Sequence, residues 1–331
     1  MKPLIQRLTE AFGPSGSEVA IRQLIHEEIK PLADEIREDA LGNLIARKHS
    51  RRKAAQHLML AAHMDEIGLM ATHIDENGFV RFTGLGGVRP LALAGGRVRF
   101  MNGQAGVIGM DRMTDATRAP KLEQGFIDVG ATSSRDCPIH TGDVCAFDRP
   151  FLDLGGRLVA KAMDDRIGCA ILIEAMRRVR SSPYELSFVF TVQEEVGVRG
   201  ATASAFGLNP DFGLAVDVTD TGDTPRSAKM EVALGGGPAV KIKDSGMLSD
   251  PRIVAWMVKT AEKNGLPYQR EVLLEGSTDA RAIQLSRSGI PTGCLSIPCR
   301  YIHSPSEMVD YGDIQNSVKL IAALLHARID L

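Results

Sequence analysis

The chain has 331 residues, with 39 basic against 41 acidic side chains and 44% hydrophobic residues. The near-neutral balance excludes an overall basic surface of the kind that binds nucleic acid, and the apolar content excludes disorder as the dominant state. Aromatic residues make up only 5%, with a single tryptophan; that is too few for platforms that stack sugars or bases.

In chain order, Leu4, Ile5, Leu8 and Phe12 recur at helical spacing, and Gly13-Pro14 stops that helix. Ser15 and Glu18 form an S-x-x-E capping-box pattern for a second helix that carries Ile21, Leu24, Ile25 and Ile29 on one face and is closed by Pro31. Two short strands are predicted near 35–39 and 43–48, turned by Leu41-Gly42-Asn43. HLMLAAH (57–63) is a continuous apolar run of strand length, as expected of a strand buried on both faces. LSFVFTVQ (186–193), FGLAVDV (212–218) and GCLSIP (293–298) read the same way. Helical patterns fall between them, near 165–180, 199–206, 250–263, 278–287 and 313–328. Strands that alternate with helices predict an α/β fold with a mixed, mostly parallel sheet flanked by helices.

Residues 67–154 differ: short alternating segments broken by glycines predict a small β domain inserted into an α/β domain formed by 1–66 and 155–331. The basic run RKHSRRK (47–53) lacks interleaved aromatics and reads as a solvated turn. The clusters GLGG (84–87) and GGG (235–237) do not fit a phosphate-loop pattern. Five cysteines at 137, 145, 169, 294 and 299, with no C-x-x-C, fit free thiols in a reducing, cytoplasmic compartment. The first residues, MKPLIQRLTEAFGPSGSE, lack the apolar core of a signal peptide, and no uncharged run reaches the ~18 residues of a membrane span. Neither a nucleic-acid nor a membrane partner is expected.

The chemistry sits where the predicted buried strands end. HLMLAA runs into His63-Met64-Asp65-Glu66, LSFVFTVQ into Glu194-Glu195, FGLAV into Asp217, and LSIP leads to Tyr301-Ile302-His303-Ser304. Asp164-Asp165 stands where the 165–180 helix begins. In open α/β sheets, ligands bind outside the carboxyl ends of the strands. Two imidazoles and several carboxylates at one sheet edge suit a pair of divalent ions, with a bridging carboxylate and terminal nitrogen or oxygen ligands. An adjacent unligated carboxylate suits a general base.

Seven motifs, AAHMDEIG (61–68), FIDVGATS (126–133), KAMDDRIG (161–168), FTVQEEVGVRGA (190–201), AVDVTDT (215–221), EGSTDA (275–280) and PCRYIHSPSE (298–307), occur in order along the chain. With them the sequence resembles, over essentially its full length, the tetrahedral aminopeptidases of metallopeptidase family 42, which include glutamyl, lysyl and deblocking aminopeptidases. The resemblance implies a zinc-peptidase-like fold whose inserted β domain serves assembly and walls the site. It implies that His63 and Asp217 bind one ion, that Glu195 and His303 bind the other, and that Asp164 bridges them. Glu194 would be the general base, and Asp65 would orient a ligand imidazole. The implied cofactors are two divalent ions per subunit, zinc first, with cobalt or manganese as alternatives. The implied substrates are peptides with a free N-terminus, and the implied assembly is a homo-oligomer, a tetrahedral dodecamer. Met163 and Ser277 depart from the leucine and glycine expected there.

Three other readings stay open at this level. A related metal-dependent deacylase or carboxypeptidase would need an arginine for a substrate carboxylate, and Arg166, Arg199 and Arg300 lie beside the motifs. An endoglucanase could use two carboxylates. A non-catalytic scaffold with a vestigial site is the third. A Cys299–His303 nucleophile pair is weighed against simple packing of Cys299.

Overall fold

The computed structural model describes residues 1–112, 119–329 and 331. Helices α1 (Lys2–Glu10) and α2 (Val19–Ile29) open the chain, followed by β1 (Glu35–Glu38), β2 (Leu44–Lys48) and β3 (His57–His63). Gly42, at φ +101°, supplies the left-handed residue of the turn between β1 and β2, and the Asp39 carboxylate accepts the N–H groups of Leu41, Gly42 and Asn43 across it.

Strands β4 (Gly68–Ile74), β5 (Val80–Leu85), β6 (Arg97–Phe100), β7 (Ala105–Met110), β8 (Gly125–Asp128) and β9 (Val144–Phe147) follow. They close into a barrel in the order β4-β5-β8-β7-β6-β9. Its interior is filled by inward residues of alternating strands, among them Leu69, Val80, Phe82, Val98, Phe100 and Ile127. Closure removes the edges that a small open sheet would expose.

The chain then returns to the larger unit through β10 (Leu152–Asp153), β11 (Arg157–Ala160), α3 (Met163–Arg178), β12 (Glu185–Thr191), α4 (Arg199–Leu208), β13 (Phe212–Thr219) and β14 (Ala239–Lys243). It ends with α5 (Pro251–Lys263), β15 (Gln269–Val272), α6 (Asp279–Gln284), β16 (Thr292–Arg300), β17 (Glu307–Asp310) and α7 (Tyr311–Leu324). The sheet runs β1-β2-β12-β3-β13-β16-β17-β11-β10, with β14 pairing β16 and β15 pairing β14. Its centre, β12-β3-β13-β16, is parallel; its flanks are antiparallel. β10 already belongs to this sheet, although it falls within the 67–154 segment.

Pleating explains why these runs are apolar without a break. Leu58, Leu60 and Ala62 of β3 point into the large core under α1, α2, α3, α5 and α7, whereas Met59 and Ala61 point into a second core with Ala205 of α4 and Ile283 of α6. Each fully buried Leu, Ile or Phe contributes roughly 1.5–3 kcal/mol of transfer free energy. α3 is buried nearly all round, as a helix sandwiched between the sheet and other helices must be. No described helix is long and apolar enough to cross a membrane.

Two sequence expectations take a different form. The Ser15–Glu18 pattern does not cap α2: Glu18 occupies the N-cap position with no side-chain capping bond. Ser15 Oγ instead donates to Asp65 Oδ2 at 2.6 Å, and Glu18 Oε1 accepts the N–H groups of Gly16 and Gln193. A buried carboxylate is a stronger partner for the Ser15 hydroxyl than a helix N–H. The basic run is anchored at its start, where Arg47 and His49 both meet Glu185 Oε1, at 3.0 and 2.6 Å.

Candidate active site

The parallel centre of the sheet delivers four chain segments to one edge. His63 is the last residue of β3 and pairs in register with Thr191, the last of β12. Glu194 and Glu195 follow Thr191, Asp217 lies near the end of β13, and His303 comes three residues after β16 ends. Asp164 enters from the first turn of α3. These side chains meet. His63 Nε2 lies 2.9 Å from Asp164 Oδ1 and 3.8 Å from Asp217 Oδ1. His303 Nε2 lies 3.4 Å from Asp164 Oδ2 and 3.3 Å from Glu195 Oε2.

Two further carboxylates hold this constellation from behind. Asp65, fully buried, accepts the backbone N–H of Glu194 at 3.0 Å and of Glu195 at 3.3 Å, besides the Ser15 hydroxyl. Its Oδ1 stands 3.4 Å from His63 Nδ1, and its backbone carbonyl 3.2 Å from the same nitrogen. Glu307, at the start of β17, accepts the N–H of His303 on one oxygen at 2.8 Å and that of Asp164 on the other at 2.9 Å. Asp65 thus ties the β3 and β12 contributions together, and Glu307 does the same for α3 and the loop after β16.

The electrostatics are those of crowded acids in a dry place. Burial, opposed by His63 and reinforced by the Asp217, Asp279 and Glu195 charges, pushes the Glu194 carboxyl well above its ordinary range. Burial does the same to Asp217 and Asp165, and it raises Asp279 to about 6. Burial also works against ionisation of Asp164, yet the His303 and His63 imidazoles hold its carboxyl below the usual range. His303, despite burial, is raised to about 11 by Asp164 and Glu195.

The donor set fits metal ions. His63, Asp164 and Asp217 each offer one ligand atom, and these atoms all lie within 4.8 Å of one another; Asp164, Glu195 and His303 do likewise. Asp164 belongs to both groups. Glu195 Oε1 is buried with no hydrogen-bond partner, which a cation at this position would relieve. Mixed imidazole and carboxylate donors are the chemistry of Zn, Co and Mn sites.

The M42 glutamyl aminopeptidase family model matches residues 42–320. A lysyl aminopeptidase of Pyrococcus furiosus is 35% identical over 97% of this chain and 96% of its own. The chain superposes on aminopeptidase APDkam598 of the archaeon Desulfurococcus kamchatkensis with a TM-score of 0.94 and 40% identity, covering 99% of this chain and 94% of that one. It superposes on the Pyrococcus horikoshii TET1 peptidase, described as assembling into a tetrahedron or a large octahedral shell, with a TM-score of 0.89 and 32% identity, covering 99% of each. This chain belongs to the M42 family.

In this M42 chain the two residue groups open onto a cleft of about 1210 Å³, whose lining includes His63, Asp164, Glu194, Glu195, Asp217 and His303. Val198, Phe206, Leu273 and Leu285 add apolar wall, and Gly87 and Arg89 reach in from the barrel side. The GLGG cluster therefore has a use unrelated to phosphate: Gly86 and Gly87 pack directly on Glu195 and His303. Glu307 ends the motif PCRYIHSPSE and Asp279 lies within EGSTDA, and neither is among the residues that the sequence points to as site residues. Their only signal is an acidic residue four positions after His303 and another at the first position of α6, which sequence spacing cannot tell from an ordinary cap.

The three arginines beside the motifs are engaged elsewhere. Arg166 is fully buried and donates to the carbonyls of Leu8, Ala11 and Gly13, with Glu66 beside it. Arg300 grips Asp223 through two hydrogen bonds, at 2.9 and 2.7 Å. Arg199 donates to Gln193 at 3.3 Å. Arg89 and Arg281 line the cleft instead, together with Glu275 and Asp220. Cys299 is buried, and burial pushes its thiol well up, which suits packing and not nucleophilic attack. All five cysteines are free.

Proposed function

We propose that the protein is a metal-dependent aminopeptidase that cleaves the first residue from peptides. The observation that carries this reading is the pair of three-residue ligand groups sharing Asp164 at the floor of a cleft. His63 and Asp217 would hold one divalent ion and Glu195 and His303 a second, with Asp164 shared by the two groups. Bound there, such ions supply Lewis acidity and lower the pKa of water from 15.7 towards ~7.

The remaining work falls to the chain's own carboxylates. Glu194, with its raised proton affinity, accepts a proton from the attacking water. As the carbon–nitrogen bond breaks, Glu194 returns that proton to the leaving amine. Asp65 keeps the His63 ring and the Glu194–Glu195 backbone in place. The barrel formed by the inserted segment walls one side of the cleft, and the division into 1–66 plus 155–331 and 67–154 is part of this reading. A homo-oligomer of the tetrahedral kind is proposed by likeness to the TET1 peptidase. Free thiols favour a reducing compartment such as the cytoplasm.

The test is hydrolysis of a panel of aminoacyl-anilides by metal-stripped protein, before and after return of Zn, Co or Mn. Release that requires an ion supports the reading, and the ranking of side chains names the specificity. Release confined to N-acyl substrates would replace it with a deacylase.

A further inference from the structure

The two ligand imidazoles are oriented in different ways. His63 has polar partners at Nδ1, the Asp65 carbonyl at 3.2 Å and the Asp65 carboxylate at 3.4 Å. His303 has no comparable partner: among the described residues, no hydrogen bond reaches its Nδ1. Its backbone is fixed at φ +61° with its N–H on Glu307 Oε1 at 2.8 Å, but its side chain remains 31% exposed. Ligating histidines ordinarily have their second nitrogen held by a carboxylate, carbonyl or water, which sets the ring plane.

What stands against that ring is backbone from the barrel. A Cβ on Gly87 would lie 2.5 Å from His303 Nδ1 and 2.8 Å from Cε1. A Cβ on Gly86 would lie 2.7 Å from Glu195 Oε2 and 2.8 Å from Ile67 Cγ2. Contacts under 3.0 Å are not tolerated, so either side chain would have to move. Gly86 also has φ +81°, which strains any L-residue whatever the space. Gly87 does not, so its only hindrance is the imidazole itself. Both glycines follow β5 of the barrel, whereas Glu195 and His303 come from the large sheet.

We infer that Gly87 is a positioning residue: the barrel loop is a shelf for the His303 ring, and the Glu195–His303 half of the site is complete only with the barrel docked. The inference rests on the paired-ion reading above. It predicts that the two half-sites respond differently to one methyl group, because the atoms nearest a Cβ on Gly87 all belong to His303 and none to His63 or Asp217.

The test is titration of metal-stripped protein with Zn, followed by calorimetry and by metal analysis after dialysis, for wild type, Gly87→Ala and Gly156→Ala. A Cβ at Gly156 meets nothing within 4 Å, which makes that variant the control. Wild type and Gly156→Ala are expected to bind two ions. Gly87→Ala is expected to bind the first ion as wild type does and the second roughly 10–100-fold more weakly, the usual effect of disturbing a ligand's support. A general loss of folding would weaken both ions and lower the melting temperature, so the selective loss is diagnostic. A companion measurement uses wild type alone: binding of the second ion should slow amide exchange across 84–89. Two unweakened ions in Gly87→Ala, or no change in exchange, overturn the inference. If wild type binds a single ion, the paired-ion reading fails. The shelf is then upheld by a tenfold weakening of that ion in Gly87→Ala and discarded by its absence.

Discussion

The Glu307 carboxylate accepts the backbone N–H of His303 at 2.8 Å, with its second oxygen 2.9 Å from the N–H of Asp164. One buried side chain thus fixes the spacing between His303 and Asp164, the residue common to both candidate ion-binding groups. Glu307→Gln keeps the volume but turns one acceptor into a donor facing an N–H. Its expected effect is a loss of roughly 10–100-fold in ion affinity with the fold retained, read by titration against a chromophoric chelator. Unchanged affinity would remove the positioning role.

Glu194 tests the chemistry and not the binding. Glu194→Gln should retain its ions and lose at least ~100-fold in kcat, the low end of a general-base contribution. Wild-type turnover in this variant, with metal content confirmed, would assign the proton transfer elsewhere.

Ion binding should be linked to pH. Without ions, burial and the neighbouring Asp164 charge keep Glu195 and Asp217 protonated above the ordinary carboxylate range, and the carboxylates keep His303 protonated up to about 11. Ligation needs the deprotonated forms, so binding releases protons. Affinity should therefore rise with pH for as long as His303 holds its proton, up to about 11, and the calorimetric heat should vary with the ionisation enthalpy of the buffer. A heat independent of the buffer would contradict this.

The Asp223–Arg300 pair is a prediction about stability away from the ligands. The Arg300 guanidinium holds the Asp223 carboxyl well below the usual carboxylate range. A depressed folded-state pKa contributes stability that is present above the unfolded value near ~3.9 and lost as pH falls through the folded value. Asp223→Asn should therefore lower the melting temperature by about 2–4 °C at neutral pH, and the gap to wild type should close as pH falls from 5 towards 2. A gap that stays constant over that range would show that the charge contributes nothing.

Much of this was legible in the sequence, for a physical reason in each case. A strand covered on both faces must be apolar at every position, so His57–His63, Glu185–Thr191, Phe212–Thr219 and Thr292–Arg300 announced themselves, and the polar residues that end them were conspicuous. Parallel strands put those ends at one edge, so His63, Glu194, Glu195, Asp217 and His303 could be gathered before any coordinates. The tertiary structure decided what no local pattern encodes. Ser15 caps nothing because a buried Asp65, fifty residues away in sequence, is the better acceptor. Arg166 and Arg300 are removed as substrate ligands by partners up to 158 residues distant. In the sequence Gly86 and Gly87 belong to a cluster that fits no phosphate-loop pattern, yet their lack of a side chain matters because a separate barrel brings them against Glu195 and His303. Periodicity reports which face of an element is buried; which atoms meet across elements depends on how the barrel and the sheet pack together.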